Sequence, residues 1–102
     1  MPARPSVLSV ENYVVDVLLR DLVGHDRHPA AFLVYLHLYL RAQRGRRRTV
    51  AASLREMAAD TGLAKSAVQT ALANLQRREL IRTHRDHPTA TSVHTVLRPW
   101  RR

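Results

Sequence analysis

Apolar positions in the first half of the chain recur at helical intervals. In the second half they break into a short helix, a longer helix and two alternating runs. Val10, Val14, Val17, Leu18 and Leu22 lie three or four residues apart, the repeat of one α-helical face, which predicts a helix over about 9–23. Ser9 is placed to cap it, Glu11 falls in its first turn and Gly24 is its expected stop. A second helix is expected from Pro29, a residue suited to the first helical position, through AAFLVYLHLYLRAQR to about Arg44, with Gly45 ending it. Residues 1–8, with two prolines, read as a flexible arm.

The second helix is apolar around most of its circumference. Phe32, Leu33, Leu36 and Leu40 form one stripe, and Val34, Tyr35, Leu38 and Tyr39 widen it. A helix of this kind is buried on most sides. The covering surface is either a second copy of the chain or the N-terminal arm; the expectation is a homodimer through the N-terminal helices.

Beyond GRRR at 45–48, TVAA at 49–52 is a short β-like run. LIRTHR (80–85) and SVHTVL (92–97) are two more, with Asp86, His87, Pro88 and Thr89 to Thr91 as the turn between them. Ser53 and Glu56 make an S-x-x-E capping box ahead of a helix over 54–61. Gly62 supplies a turn at positive φ, and Leu63 drops into the core. A helix over 65–78 follows, with Val68, Ala71, Leu72 and Leu75 on one face. Lys65, Ser66, Gln69, Thr70 and Ala73 are left pointing outward. Ala58, on the inner side of the first of these helices, is small enough to let the two cross closely. The element order is helix, helix, strand, helix, helix, hairpin: mainly α with a small β-hairpin, a winged helix-turn-helix carrying two N-terminal helices, in one domain (9–97) with a basic tail (98–102). Two helices joined by a tight Gly-containing turn are a way to set one helix in the DNA major groove.

Charge strengthens that reading. The 102 residues hold 17 Lys+Arg against 8 Asp+Glu, a net charge of +9. Residues 1–52 carry eight basic and four acidic groups and residues 53–102 nine and four, so the excess belongs to the folded body. Such an excess favours a polyanion, because neutralising phosphates releases condensed counterions. On the outward set, Gln69 can pair bidentately with adenine. Ser66 and Thr70 can meet phosphate or base edges, and Lys65 lies near a helix start that favours an anion. Ala73 completes the ridge. Arg46, Arg47 and Arg48 are the densest charge and a candidate phosphate clamp. In the hairpin, Arg82, Arg85 and His87 are candidates for backbone contact. Strand alternation puts Ile81, Thr83 and Arg85 on one side and Arg82 and His84 on the other, so one of the two arginines is expected to face DNA, Arg85 being favoured as nearest the tip. Arg98, Arg101 and Arg102 add a basic tail, with Trp100 expected to fold back on the first helices.

Residues 53–81 resemble the winged helix-turn-helix of bacterial transcription regulators, especially the DNA-binding heads of the GntR family. Leu54, Glu56, Met57, Ala58, Gly62, Leu63, Val68, Ala71, Leu72, Leu75, Leu80 and Ile81 carry the likeness. The preceding helices are similar, more loosely, to those of small phage- and plasmid-type helix-turn-helix proteins, including the N-terminal domains of some replication initiators. The resemblance implies a reading helix in the major groove and a wing on the backbone or in the minor groove. The chain departs from the pattern in two places. Ala64 stands where the family has a Ser or Thr cap, and Glu79 stands where it prefers glycine before the first wing strand, which would let the helix end a turn differently.

Six histidines include the pairs His25/His28 and His84/His87, each three apart, but no cysteine or acidic cluster completes a metal set. His37, within an apolar helix, is expected at a core or dimer contact. No cofactor, no metal and no enzymatic activity are expected: the acidic residues are scattered and no glycine-rich phosphate loop exists. No apolar run reaches the ~20 residues of a membrane span. No secretion signal is visible either, and the absence of cysteine fits a cytoplasmic protein. With some twenty residues after the reading helix, no small-molecule effector domain is expected. The function expected is sequence-specific binding of double-stranded DNA by a small dimeric prokaryotic transcriptional regulator. A plasmid- or phage-type replication or partition accessory protein is the alternative within DNA binding, and a protein-interaction or RNA-binding winged helix is the alternative of another class.

Overall fold

A computed structural model describes residues 7–101. The arm expected over 1–8 lies mostly outside the described residues; Val7 and Leu8 lie within them, and Val7 is exposed. The elements are an N-terminal helix, α1 (Pro29–Arg44), β1 (Thr49–Ala51), α2 (Leu54–Thr61), α3 (Lys65–Arg77), β2 (Ile81–His84) and β3 (Val93–Val96). The strands form one antiparallel sheet in the order β1-β3-β2, with Val50 opposite His94 and Ile81 opposite Val96. Each wing strand is shorter than its sequence pattern by a residue or two at its ends.

The N-terminal helix departs from the expected α-helix. It is wound in the wider π form over Val14–Leu18 and Arg20–His25, with Asp26 donating its amide to the Asp21 carbonyl five residues back. Its buried residues, Val14, Leu18 and Leu22, are spaced by four, and Val10 continues the series as a partly buried contact. At 3.6 residues per turn, each four-residue step would swing the stripe by about 40°; the wider winding keeps it on one line. Ser9 does not cap this helix. Its backbone is instead clamped by the Gln43 side-chain amide through two 2.6 Å hydrogen bonds. Gly24 does not end it either: the winding runs on through His25, and the chain turns at Arg27, whose φ is +53°.

α1 begins at Pro29 and ends at Arg44, as its sequence predicts. His28 is its cap, its ring Nδ1 accepting the Ala31 amide. This helix is the axis of the fold, touching the N-terminal helix, α2, α3, β1 and β3. Ala31, Val34, Tyr35, Leu38, Tyr39 and Ala42 are buried, and Phe32, Leu36 and Leu40 are partly so. One chain therefore covers most of the apolar circumference that suggested a second copy, because the N-terminal helix packs on α1, as α2 and α3 do. The large apolar residues still exposed on these two helices are Tyr13, Val15, Leu19 and Leu33. The His37 side chain is mostly buried, 15% exposed, and bonds Asp60 of α2 at 3.1 Å.

Two helix ends reach left-handed backbone without glycine. After α1, Arg46 has φ +56°, and the amides of Arg46 and Arg47 return to the carbonyls of Gln43 and Ala42. After α3, Glu79 has φ +58°, and the amides of Glu79 and Leu80 return to Gln76 and Leu75. Both are Schellman closures, which favour glycine at the left-handed position. Glu79 thus takes up the backbone the glycine would have supplied, and the helix stops in place rather than a turn away. Leu80 then drops into the core and β2 starts on time.

Candidate nucleic-acid interface

The Ser53 capping box is complete: its Oγ accepts the Glu56 amide and Glu56 Oε1 accepts the Ser53 amide, both at 3.1 Å. Gly62, at φ +78°, donates its amide to Ala58 and closes α2. The Thr61 hydroxyl bonds the Met57 carbonyl and accepts the Leu63 amide, fixing the turn from both sides. α3 then leaves Ala64 with no side-chain cap. Beneath it, Val68, Ala71, Leu72 and Leu75 are buried; above, Lys65, Ser66, Gln69, Thr70 and Ala73 are all exposed. The outer face of α3 is thus wet and backed by a packed seam.

Lys65, Gln69 and Ala73 line one wall of an open groove of about 540 Å³, and Thr83, Arg85, Thr91 and Ser92 of the wing line the other. Ser66 and Thr70 lie one step round α3, outside the groove. The Thr70 hydroxyl is already spent on the Ser66 carbonyl at 3.0 Å. Two exposed groove residues escaped the sequence reading: Arg55, in the first turn of α2, and Gln76, on α3. Gln76 is seven residues beyond Gln69, so continuing the outward stripe by two turns would have found it.

The wing is held by its own arginine. Arg85 donates from Nε and Nη2 to Ser92 Oγ and from Nη1 to the Pro88 carbonyl, so its guanidinium straps the loop. Alternation works as expected: Arg85 faces α3, whereas Arg82 turns away. Arg82 lines a cleft with Arg48, Glu79, Arg98 and Arg101, and Arg46, Arg47 and Arg48 line a neighbouring one. The structure therefore does not bring Arg46, Arg47 or Arg48 to the groove beside α3, and Arg82 only borders it, sharing a small cleft with Gln76 and Thr83. His87 sits exposed in the wing loop, its ring bonded to Thr89.

His94 lies at the groove floor, 1% exposed. Its Nε2 meets the Ala52 carbonyl at 3.2 Å, so that nitrogen carries the proton, and Nδ1 accepts the Thr83 hydroxyl at 3.0 Å. Burial holds its pKa below the ordinary histidine value. The other histidines hold local partners: His25 bonds Asp26 and His84 bonds Asp86. Among the described residues, no three His, Asp or Glu side chains gather as metal ligands. No described helix is long and apolar enough to cross a membrane.

Two charged anchors fix the reading unit to the rest. Arg78, capping the C-terminal end of α3, grips Asp26 through Nε and Nη2 at 2.9 and 2.6 Å, and this pair holds the Asp26 carboxyl far below the usual carboxylate range. Glu11 accepts the Trp100 indole N–H, the Tyr39 hydroxyl and Arg98, with Arg101 at 3.6 Å. The Trp100 hydrogen bond contributes most to lowering its pKa. Trp100 stacks on Tyr13 with ring centroids 4.5 Å apart, so the tail folds back on the first helices as expected.

A capped α2, a glycine turn, a reading helix and a three-stranded wing sheet together make a winged helix-turn-helix. Residues 28–81, more than half of the chain, match the helix-turn-helix domain family, and the chain belongs to that family. No curated protein and no solved structure matches it. Membership points to DNA as partner.

Proposed function

We propose that the protein binds double-stranded DNA sequence-specifically, with α3 in the major groove and the wing on the adjoining backbone or minor groove. It acts as a small cytoplasmic regulator of transcription in a prokaryote. The observation that carries the reading is the exposed ridge Lys65–Gln69–Ala73, facing the strapped wing and braced from below by four buried residues. Rigid first contacts of this kind are what base reading needs. Gln69 and Gln76 are the base-reading candidates, Lys65 and Arg55 the phosphate ones. Pairing of two copies is part of the proposal, with the exposed Val15 and Leu19 of the N-terminal helix and Leu33 of α1 as the apolar contact.

Selection of binding sites from random duplexes tests this. A defined site should emerge, as an inverted repeat if two copies bind. Gln69→Ala should then relax preference at one base pair by about 1–3 kcal/mol. Lys65→Ala should weaken all sequences alike. Enrichment of no sequence, together with capture of a stoichiometric protein or RNA, would refute the regulator and favour an interaction module.

A further inference from the structure

The arginines that the reading groove does not use are not scattered. Arg46, Arg47, Arg48, Arg82, Arg98 and Arg101 line two adjoining clefts of about 420 and 480 Å³, which share Arg48, Val96 and Arg98. None of these residues lines the groove between α3 and the wing. The separation follows from the sheet. The register Arg82↔Thr95 and Thr83↔His94 sets the two residues on opposite faces of the strand. Arg82 stands at the border, also lining a small cleft with Thr83 and Gln76, while Arg46, Arg47, Arg48, Arg98 and Arg101 lie wholly outside the groove. The start of β1, the start of β2 and the end of β3 lie together at the end of the sheet remote from the wing loop. The four residues of β3 separate that end from the wing loop by roughly 10 Å.

The charge of this face is poorly offset. Among the described residues, Glu79 lines one cleft and Glu11 pairs with Arg98 and Arg101, so six arginines meet two carboxylates. No described carboxylate lies within 4 Å of Arg46, Arg47, Arg48 or Arg82. Arg46, moreover, holds a left-handed backbone at the rim, a position where glycine would be less strained. Strain retained where it adds a charge to a cleft is a mark of use. The guanidinium groups are spread over two clefts and converge on no single point, which suits a run of spaced phosphates better than one small anion. Arginine's planar fork suits phosphate oxygens.

We propose that the base of the sheet is a second phosphodiester-binding site, so that the protein bridges two DNA segments. Building on the function proposed above, the reading helix and wing hold one duplex by sequence. The arginine clefts hold the backbone of another without regard to sequence.

Short duplexes carrying the selected site, one set labelled with a donor fluorophore and the other with an acceptor, provide the test. With the full chain, energy transfer between the two sets should appear, and should fall with added salt more steeply than binding of a single duplex does. The variant Arg46→Ala/Arg47→Ala/Arg48→Ala should lose the transfer while keeping its affinity for one duplex and its melting temperature. Wild-type protein that binds one duplex but gives no transfer overturns the inference and leaves the reading function standing. So does a variant that keeps the transfer, which would assign bridging to paired reading heads. A variant that loses single-duplex affinity as well would place these arginines in the reading interface and likewise overturn the second site. Wild-type protein that binds no duplex removes both proposals.

Discussion

Breaking the Arg78–Asp26 pair should loosen the reading helix without touching any groove residue. The two residues are 52 apart in sequence and join the turn before α1 to the end of α3. Two donor–acceptor distances of 2.9 and 2.6 Å make the grip bidentate, with side-chain exposures of 32% for Arg78 and 16% for Asp26. A hydrogen bond to a charged group contributes about 1.5–3 kcal/mol when well buried. With Arg78 partly in water, a coupling energy of about 1–2 kcal/mol for the pair is the reasonable figure. The measurement is a double-mutant cycle of Asp26→Ala and Arg78→Ala by urea unfolding at neutral pH. A domain of this size should lose roughly 4–8 °C in Tm per kcal/mol. Since the Asp26 carboxyl is depressed in the folded state, its contribution is complete above the unfolded value of about 3.9 and is lost as pH falls through the folded one. The difference between wild type and Asp26→Asn should therefore shrink in acid. Coupling under about 0.3 kcal/mol at neutral pH would show the pair to be an idle surface contact and refute the argument.

Three further outcomes follow from single residues. Glu79→Gly should raise stability by about 0.5–1 kcal/mol in urea unfolding, because glycine meets the left-handed backbone at less cost; a loss would mean the Glu79 side chain contributes contacts not seen here. Ala64→Ser should add about 0.5–2 kcal/mol by capping α3, whose preceding residue already has the extended backbone a cap needs; no gain in Tm would show the orphan amides to be satisfied otherwise. Burial lowers the His94 pKa, so the unfolded chain binds a proton first as pH falls. Its stabilising contribution is complete above about 6.5 and drains as pH drops toward the folded value. A phenylalanine at position 94 should flatten that part of the stability–pH curve, and an unchanged slope would refute the assignment.

How much was legible depended on how local the determinant was. Pro29 and Gly45 bracket α1, and Ser53, Glu56 and Gly62 frame α2, because each acts within a turn of its own position. Strand alternation likewise assigns Arg85 and Arg82 to opposite sides of the strand. The π winding of the N-terminal helix was hidden because Val17, which the α-helical repeat counted, is not in the buried line; only the four-residue series from Val10 to Leu22 carried the signal. Glu79 and Arg46 at left-handed positions break the usual rule that glycine marks a stop, so their roles needed the backbone itself. Asp26 with Arg78 and Glu11 with Trp100 depend on tertiary approach, which no periodicity encodes. The homodimer expectation rests on counting apolar faces of α1, and the N-terminal helix covers one of them, so Val15, Leu19 and Leu33 are what remains for a second copy.

The strap from Arg85 to Ser92 and Pro88 bears on the thermodynamics of docking. Three hydrogen bonds already fix the β2–β3 loop in the free protein, so little configurational freedom remains to be surrendered when a ligand arrives. A ligand whose contour mismatches that preset loop meets a surface that does not remould, and leaves quickly. Discrimination at this end of the molecule would then be written chiefly in residence time.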